Sequence, residues 1–411
     1  MDVFDLIVVG GGASGFMSAI TASDHGVKKI KIMEATSKLL EKVRISGGGR
    51  CNVTNASWIP NELVENYPRG GFKLLESLSR FASGDVYEWF ESRGLPLKIE
   101  RDQRVFPVSD KSIDVINCLK KYAINGGIDI STNNYVKKIS RNHSNIFKVF
   151  FGKDQFLLSK KILISTGSHP SGHKLSSSFG HNIIKPLPSL FTFTCKDYGL
   201  IDCAGVSAKN INLKIILNKK TFQNKGDLLF THWGFSGPGI LKLSSMAARE
   251  LYFEKYKCKL VIGWSDLDEF ELMQRINNLR EKSGKLNLYN ARPLSSITKR
   301  LWIFLLRKIG ININKKWSEI FSHEIHSIIN LLQHDEYKIS GKGSFGEEFV
   351  TAGGVDINEV NFKTMESLLI KGLFFSGEIL NIDGITGGFN FQHCWTSGWL
   401  AGKAISNNKI N

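Results

Sequence analysis

The sequence of 411 residues contains few cysteines, and no pattern among them indicates a metal site or a disulfide framework. Its six cysteines are scattered, none belongs to a C-x-x-C pair, and no histidines cluster at metal-binding spacing. Scattered cysteines of this kind are typical of free thiols in a reducing compartment. We therefore expect no metal in this protein.

Long hydrophobic runs are also missing. The most apolar segment, residues 301–306, is far shorter than the roughly 18 residues that a membrane-spanning helix needs. The first predicted strand begins at Phe4, which leaves no room for a signal peptide. These two absences predict a cytoplasmic protein with no membrane partner.

Acidic residues are scarce relative to basic ones. The chain has 38 Asp and Glu against 54 Lys and Arg, which gives a formal net charge of +16. A polyanionic partner would exploit this charge, because binding displaces counterions. The alternative is a basic composition shared by a whole lineage, since the many Lys and Asn residues suggest an AT-rich genome. With 42% hydrophobic and 22% charged residues the chain is globular, and its length predicts two or three domains.

A glycine-rich turn follows the first apolar run. Gly10, Gly12 and Gly15 have the G-x-G-x-x-G spacing between a buried strand and a helical pattern. In such a turn the glycines permit a tight bend, a close approach of pyrophosphate, and packing of the helix on the strand. Glu34 ends the next apolar run, roughly 20 residues further on, where an acid accepts hydrogen bonds from a ribose. Together these features predict a dinucleotide site.

A second glycine-rich segment occupies residues 45–55, Ile-Ser-Gly-Gly-Gly-Arg-Cys-Asn-Val-Thr-Asn. Consecutive glycines let the backbone lie against a ligand, and Arg50 and Lys42 could neutralise phosphates. A flexible surface loop is the alternative that composition allows. The segment resembles the signature of the BaiN/RdsA-like family of FAD-dependent oxidoreductases. The further blocks that carry this resemblance are 104–108, 161–168, 230–239, 372–378 and 383–390.

The resemblance implies an α/β fold with a discontinuous main domain. Residues 1–190 and 341–411 would form a Rossmann-like, glutathione-reductase-like FAD-binding domain. Residues 191–340 would form an inserted antiparallel β-barrel with a basic helical subdomain at about 265–335. Alternating runs favour antiparallel strands at 190–195, 211–217 and 257–262. Helical patterns follow at 267–278, 293–309 and 317–333, and residues 128–139 in the main domain suggest a strand pair.

The resemblance also implies how FAD is held. The strand end at Gly377 and Glu378 and the backbone at Gly387 and Gly388 would close the flavin site. A helix N-terminus would lie near the flavin N1–C2=O edge, where its positive end stabilises the anionic reduced flavin. Val136 matches a position whose backbone contacts adenine in FAD proteins. The complete set of expected cofactor-binding residues is Gly10, Gly12, Ala13, Ser14, Gly15, Glu34, Ala35, Lys42, Ser46, Gly48, Gly49, Arg50, Asn52, Val136, Thr166, Gly167, Gly377, Glu378, Asp383, Gly387, Gly388, Phe389 and Asn390.

The sequence shows no second dinucleotide turn. No later G-x-G-x-x-G follows a strand, so NAD(P)H is expected to visit the flavin only transiently, as the reductant. The proton donor is expected among Cys51, His232, His393 and Cys394, since a thiol is protonated at neutral pH and a histidine titrates near it. Each of the four could instead be structural. The family usually has an aromatic residue and an alanine where His393 and Cys394 stand.

Basic residues concentrate between residues 273 and 317, where Glu281 is the only acid. A basic helical insert with interspersed aromatics suits an RNA backbone, and bases could stack on exposed rings. Most of the aromatic residues (Tyr289, Trp302, Phe304 and Trp317) are nevertheless expected in the core. The eleven expected RNA-binding residues are Arg275, Arg280, Lys282, Lys285, Arg292, Lys299, Arg300, Arg307, Lys308, Lys315 and Lys316.

The resemblance leaves the substrate open between two classes. One is a uridine of 23S ribosomal RNA, reduced to dihydrouridine, and the basic insert favours this reading. The other is a small enone-like molecule of the steroid type, reduced in an NAD(P)H-linked reaction. A third, non-catalytic reading is an RNA-binding flavoprotein in which the flavin is structural.

Overall fold

Strands and helices alternate along the computed structural model, which describes residues 2–196, 198–218, 220–343 and 350–407. The β-strands are β1 (Val3–Val9), β2 (Ile30–Met33), β3 (Thr54–Asn55), β4 (Leu97–Ile99), β5 (Arg104–Pro107), β6 (Asp129–Ser131), β7 (Val136–Arg141), β8 (Phe147–Phe151), β9 (Gln155–Ile164), β10 (Ile183–Ser189), β11 (Phe193–Cys195), β12 (Ser207–Leu217), β13 (Lys220–Thr231), β14 (Gly234–Ser236), β15 (Cys258–Gly263), β16 (Asp335–Lys342), β17 (Val350–Val355), β18 (Val360–Asn361), β19 (Glu366–Ser367) and β20 (Leu373–Phe375). The α-helices are α1 (Ala13–Asp24), α2 (Glu41–Gly49), α3 (Pro60–Val64), α4 (Gly71–Leu78), α5 (Ser83–Glu91), α6 (Ser112–Asn125), α7 (Pro170–Ser177), α8 (Pro238–Met246), α9 (Ala248–Phe253), α10 (Glu269–Ser283), α11 (Lys299–Lys308), α12 (Ser322–Gln333) and α13 (Phe389–Asn407).

The chain divides into two compact units. The first unit comprises Met1–Pro186 and Val350–Asn411, and the second unit comprises Leu187–Phe349. Each unit encloses a hydrophobic core of its own. The first unit is therefore built from two separate stretches of sequence.

A mixed β-sheet forms the centre of the first unit. Its strand order is β18-β19-β20-β9-β1-β2-β6, and β8 and β7 extend it from β9. The strands β6, β2, β1, β9 and β20 run parallel to their neighbours in that order. Residues 6–9 of β1 are almost completely buried, which explains why this central strand is an uninterrupted apolar run.

Helices α1 and α13 pack closely together beside this sheet. A Cβ at Gly398 would lie 2.6 Å from the carbonyl oxygen of Ser14, and one at Gly402 would lie 2.5 Å from that of Ser18. Only glycine allows so close an approach of two helix backbones. The last helix of the chain thus lies directly on the first one.

The strand pair predicted at residues 128–139 is wrong as a pair, although both strands exist. Within the described residues, β6 pairs in parallel with β2, and β7 pairs antiparallel with β8. The alternating pattern of a strand does not reveal its partner, because the partner is chosen by tertiary packing.

The second unit contains a closed antiparallel barrel in the order β11-β14-β13-β12-β15-β16. The alternating runs at 190–195, 211–217 and 257–262 correspond to β11, β12 and β15. Along β12, Leu213, Ile215 and Leu217 are buried inside while their neighbours are more exposed. The α/β class with an antiparallel barrel in the middle of the chain agrees with the prediction.

The helices α10, α11 and α12 lie in the second unit close to their predicted positions. The third predicted helix is interrupted, because a short 3₁₀ turn covers Trp317–Glu319 and α12 begins only at Ser322. Trp302 and Trp317 are fully buried. Their indole N–H groups donate to the carbonyl oxygens of Leu288 and Ala291. As expected, these rings belong to the core and offer no surface for stacking.

Candidate functional site

The turn after β1 leaves open space beside an uncapped helix. Gly12 is the N-cap of α1, and no side chain caps this helix end, so the first N–H groups stay available. A Cβ at Gly12 would meet no described atom within 4 Å. A Cβ at Gly15 would lie 2.3 Å from the Gly10 carbonyl oxygen, and one at Gly10 would lie 2.5 Å from that of Ser165. Gly10 and Gly15 therefore permit close packing, whereas Gly12 leaves open space beside the helix end. We call this space the cradle.

Glu34 lies at the end of β2, beside this turn. Its Oε2 accepts a hydrogen bond from the N–H of Gly11 at 2.9 Å. Its Oε1 accepts from both the backbone N–H and the hydroxyl of Thr36, at 2.9 Å each. The carboxylate is thereby oriented, and Oε2, which accepts only one of these bonds, retains capacity to accept from a ribose hydroxyl. Ala35 next to it is exposed.

Two further predicted residues lie at the ends of neighbouring strands. Val136 begins β7 and is buried. Gly167, just beyond β9, has a φ of 60°, and a Cβ there would lie 3.6 Å from Glu378 Oε2. Its neighbour Thr166 has a buried hydroxyl with no hydrogen-bond partner among the described residues. Sequence reasoning missed Ser165, whose hydroxyl donates to the Gly10 carbonyl at 3.1 Å.

The strand end at Gly377 and Glu378 lies against the start of α1. Gly377 has a φ of 73°, and a Cβ there would lie 2.5 Å from the hydroxyl oxygen of Ser14. Glu378 Oε2 lies 2.5 Å from Lys42 Nζ, and Oε1 accepts from the N–H of Thr351 at 3.0 Å. Lys42 thus has an acidic partner at the strand end.

Helix α2 loses its regular geometry inside the second glycine-rich segment. Gly47, Gly48 and Gly49 have φ values of 56°, 69° and 87°. A Cβ at Gly48 or Gly49 would meet no described atom within 4 Å, so this stretch of backbone is open on the side where a side chain would stand. Ser46 is turned inward, since its hydroxyl donates to the Val43 carbonyl at 2.9 Å. The hand of the backbone changes between Gly49 and Arg50, and consecutive N–H groups at such a change can form an anion-binding concavity.

Two asparagines of this segment hold the glycine pair near the end of the chain. In the amide orientation that satisfies its neighbours, Asn52 accepts from the N–H of Gly388 and donates to the Thr54 carbonyl, both at 2.9 Å. Asn55 Nδ2 donates to the Gly387 carbonyl at 3.1 Å. A Cβ at Gly388 would lie 2.5 Å from the Thr54 carbonyl oxygen, which excludes any side chain. The glycine-rich segment of residues 45–55 and the Gly387-Gly388 pair are therefore neighbours in space.

Arg50 is committed to acidic partners. Its guanidinium donates to Glu100 at 2.7 Å and lies 3.5 Å from Asp110. It also stacks on Phe106, with 3.8 Å between the guanidinium carbon and the ring centre. These partners lie fifty or more residues away in sequence, so the loop alone could not reveal them. In this arrangement the charge of Arg50 is already balanced.

The loop of residues 383–390 is held in place in part by two residues that sequence reasoning missed, Arg69 and Tyr67. Asp383 is completely buried and forms a bidentate ion pair with Arg69. The hydroxyl of Tyr67 donates to the Phe389 carbonyl at 2.6 Å. The side chain of Asn390 both donates to and accepts from the backbone of Gly384, at 2.9 Å. The Gly70-Gly71 pair after Arg69 was an available signal of this close packing.

The expected proton donors differ sharply in exposure. Burial raises the pKa of the Cys51 thiol to about 12, and Cys51 itself has an unusual φ of 60°. Burial, with the nearby Glu378 charge, also raises the pKa of Cys394 to about 12. Burial lowers the pKa of His393 to about 4, so its ring is neutral at pH 7. His232 is exposed at the turn between β13 and β14 in the second unit.

His393 and Cys394 both lie beside Gly377. His393 Nε2 donates to the Gly377 carbonyl at 3.2 Å, while its Nδ1 is buried without a partner among the described residues. A Cβ at Gly377 would lie 3.3 Å from the sulfur of Cys394. The structure therefore places this pair at the same strand end as Glu378.

The eleven basic residues of the second unit fall into two groups. Lys308 binds the buried carboxylate of Asp335 at 2.5 Å, and Lys315 binds Glu324 at 2.7 Å. Arg300 donates to the carbonyl oxygens of Asp202 and Ala204, and Lys299 donates to the side chain of Asn290. The side chains of the rest form no hydrogen bond or ion pair with other described residues: Arg275, Arg280, Lys282, Lys285, Arg292, Arg307 and Lys316. All of these but the half-buried Arg292 are exposed.

The described ranges contain neither a candidate membrane span nor a candidate metal site. No helix there combines the length and apolar character needed to cross a membrane. No group of three or more His, Cys, Asp or Glu side chains there is arranged to hold a metal ion.

Residues 4–404 match the family described as HI0933-like protein Rossmann domain. The chain is 26% identical over 415 residues to the ribosomal RNA dihydrouridine synthase of Haemophilus influenzae, covering 97% of this chain and 98% of the relative. It is 27% identical over 408 residues to the 3-dehydro-bile acid delta(4,6)-reductase of Clostridium scindens, with the same two shares.

Among solved structures, 3-ketosteroid-delta4-(5alpha)-dehydrogenase from Rhodococcus jostii RHA1 shares the fold, with a TM-score of 0.51 at 12% identity. The match covers 98% of this chain and 97% of that one. The resemblance seen in the sequence and the predicted fold class are thereby confirmed. The chain belongs to the HI0933-like Rossmann family of FAD-dependent oxidoreductases.

Proposed function

We propose that this oxidoreductase reduces a uridine of ribosomal RNA to dihydrouridine. One observation carries the choice of an RNA substrate: a basic surface in the second unit. We define it as the exposed residues Arg275, Arg280, Lys282, Lys285, Arg307 and Lys316, whose side chains have no partner among the described residues. Unpaired cations of this kind favour a polyanion, because on binding they release the counterions condensed on the nucleic acid. A small neutral substrate gives no reason for them.

The residues of the first unit fit FAD as its cofactor. The cradle at Gly12 offers room for a pyrophosphate, and the N–H groups of Ala13 and Ser14 at the uncapped end of α1 would bind it. Glu34, oriented by Gly11 and Thr36, would accept from the adenosine ribose. The open backbone at Gly48 and Gly49 and that of Gly387 and Gly388 would lie along the rest of the cofactor.

The reaction adds one hydride and one proton to the uracil ring. When bound, FAD supplies the hydride for C6, having received it from NAD(P)H, which leaves as NAD(P)⁺. The protein must supply the proton for C5. Among the expected donors, His232 alone has an exposed side chain, so we place it first for testing. Cys51 and His393 are buried and Cys394 is partly buried, and each is suited to shaping the site.

The test is nucleoside analysis of ribosomal RNA by mass spectrometry. A strain lacking the gene should lose one dihydrouridine, and the purified FAD-loaded protein with NAD(P)H should restore it on RNA from that strain. A His232→Gln variant should slow the restoration while leaving RNA affinity unchanged. Unchanged dihydrouridine in the deletion strain would remove this substrate assignment.

The basic surface can be tested apart from the reaction. The triple variant Arg275→Gln, Lys282→Gln, Lys285→Gln should weaken RNA binding and lower the dependence of log K on log salt by about two to three. The control triple Lys209→Gln, Lys255→Gln, Lys257→Gln removes equal charge from exposed residues of the same unit that belong to none of the helices α10, α11 and α12. Equal effects of the two triples would mean that net charge acts without a defined surface.

A second candidate is a reductase of a small α,β-unsaturated ketone, which the 27% identity to the bile acid reductase supports. It predicts NAD(P)H oxidation with a ketosteroid at high salt and no RNA retention. A third candidate is a non-catalytic RNA-binding flavoprotein, whose flavin would resist reduction by NAD(P)H while RNA binding remained salt-dependent. The same purified protein distinguishes all three.

A further inference from the structure

A polar groove of about 610 Å³ lies on the outer face of the barrel, wholly within the second unit. Its floor consists of outward-facing residues from the three adjacent strands β13, β12 and β15. Its walls come from the segment at Ser265 and Leu267 and from Gln333 and His334 at the end of α12. The groove is lined by none of the residues proposed for catalysis and by none of the basic surface.

The floor of the groove contains a lysine, Lys214. It lies on β12, opposite Gln223 on β13 and Val261 on β15. Its side chain is half-buried, yet it forms no hydrogen bond or ion pair with other described residues. A cation that has lost part of its hydration without gaining a counter-ion is unfavourable, and an anion in the groove would correct this.

The groove around Lys214 offers both polar and apolar contacts. Gln223 is exposed, and its carboxamide, without a partner among the described residues, can donate and accept in one plane. The half-buried Leu267 and the small accessible part of Val261, which is 8% exposed, add apolar surface that suits the face of a base. The nearby carboxylate of Asp266 is already bound by Lys225 and Asn212, so it does not repel an incoming anion at full strength.

These features together match a nucleotide better than a simple anion. A phosphate fits the lysine, an unpaired base can be recognised by a carboxamide at its edge, and its face can lie on aliphatic carbon. An inorganic anion would use only the lysine and would leave the carboxamide and the apolar floor without a role.

We propose that this groove binds one unpaired nucleotide of an RNA chain, with the phosphate at Lys214 and the base beside Gln223 and Val261. The proposal rests on the proposed function, since it adds a second contact for the same RNA. Helix α10 begins two residues after Leu267, and its 15 residues span about 22 Å. An RNA that contacts both the groove and the basic surface near Lys282 must span roughly the length of that helix.

The experiment measures the fluorescence anisotropy of a labelled short oligouridine with the FAD-loaded protein across a salt series. Lys214→Gln should weaken binding several-fold and reduce the slope of log K against log salt by about one. The matched control is Lys209→Gln, which removes one exposed charge from the same strand outside the groove and should change little. Lys214→Arg should retain affinity, which excludes misfolding as the cause.

A second variant tests recognition of the base. Gln223→Ala should reduce the preference for oligouridine over an abasic oligomer while leaving the salt slope unchanged, because base contacts specify and phosphate contacts position. If Lys214→Gln and Lys209→Gln behave alike, the groove is not an RNA site.

The outcomes for the groove and for the reaction are separable. If the protein forms no dihydrouridine and Lys214→Gln still weakens binding, the groove assignment stands and the proposed reaction falls. If dihydrouridine is formed and Lys214→Gln has no effect, the reverse holds.

Discussion

Gly12 and Gly15 belong to one turn, but a methyl group would meet different surroundings at each. Gly12→Ala should change the free energy of unfolding by less than about 0.5 kcal/mol, since its Cβ meets no described atom within 4 Å. It should weaken FAD binding about tenfold or more, because the methyl group fills the cradle. Titration of the apoprotein by flavin fluorescence measures the affinity.

Gly15→Ala should chiefly lower the free energy of unfolding, in contrast to Gly12→Ala. Its Cβ would lie 2.3 Å from a backbone oxygen, so overpacking should cost about 1–3 kcal/mol in urea unfolding. Gly84→Ala serves as the control, since its Cβ makes only an ordinary contact at 3.7 Å with Trp58. Unaltered FAD affinity in Gly12→Ala would show that the cradle is not where pyrophosphate binds.

His393 should make the protein sensitive to acid. Its pKa is about 4 in the folded protein and about 6.5 in the unfolded chain. Between those values the unfolded chain holds a proton that the folded protein excludes, so stability falls as the pH drops through that window. Above pH 6.5 the imidazole is neutral in both the folded and the unfolded state, so His393 does not contribute to the pH dependence of stability. At pH 5 the loss from this residue is about 2 kcal/mol.

The measurement is urea unfolding at pH 7.5 and pH 5. His393→Gln should lose that part of the pH dependence, whereas His143→Gln, which changes an exposed histidine, should keep it. An identical pH dependence in wild type and His393→Gln would contradict the buried neutral imidazole.

At the scale of elements, the loop of residues 383–390 is anchored by a buried ion pair between Arg69 and Asp383. Arg69→Met would leave the buried carboxylate of Asp383 without its guanidinium, which should cost about 3–5 kcal/mol in urea unfolding. FAD affinity should fall as well, because the loop carries Gly387 and Gly388. Adding Asp383→Asn should recover part of the stability.

Arg80→Met is the control for this prediction. Arg80 pairs with Glu76 on the surface of α4, and exposed pairs contribute only about 0–1 kcal/mol. A similar small cost for Arg69→Met would mean that the buried pair does not hold the loop.

Elements whose signals are local could be predicted from the sequence. The strand β1, the glycine turn, α1 and the acid at Glu34 lie within some thirty residues, and their spacing carries physical meaning. The glycine pair at Gly387 and Gly388 followed from the family resemblance. What escaped was tertiary: Arg50 looked free for a phosphate because its partners Glu100 and Asp110 are distant in sequence. The pairing of β6 with β2 escaped for the same reason.

The basic segment of residues 273–317 shows the same limit of prediction from sequence. Its charge was evident from the sequence, but Lys308 and Lys315 are bound to Asp335 and Glu324, which lie outside the counted stretch. Only the structure separates lysines that hold the fold from those that remain available to a partner.

At the scale of the whole molecule, the two separate cores predict an uneven response to the cofactor. FAD at about a hundred times its Kd should stabilise the unit that binds it by about 2.7 kcal/mol. Hydrogen exchange should therefore slow in residues 1–186 and 350–407 and change little in residues 187–343. Gly12→Ala at the same FAD concentration should show less slowing, because a tenfold weaker Kd leaves only about 1.4 kcal/mol of stabilisation. Equal protection of both units would show that they unfold as one.

The discontinuity of the first unit has a consequence during protein synthesis. The strand β20 pairs with the central strand β9, and the helix α13 packs on α1. Both β20 and α13 are synthesised only after more than 350 residues have been made. The barrel strands are complete by Lys342, and at about 5–20 residues per second this unit has seconds to fold first. On the ribosome, the second unit can therefore be complete before the first unit has all of its strands and helices.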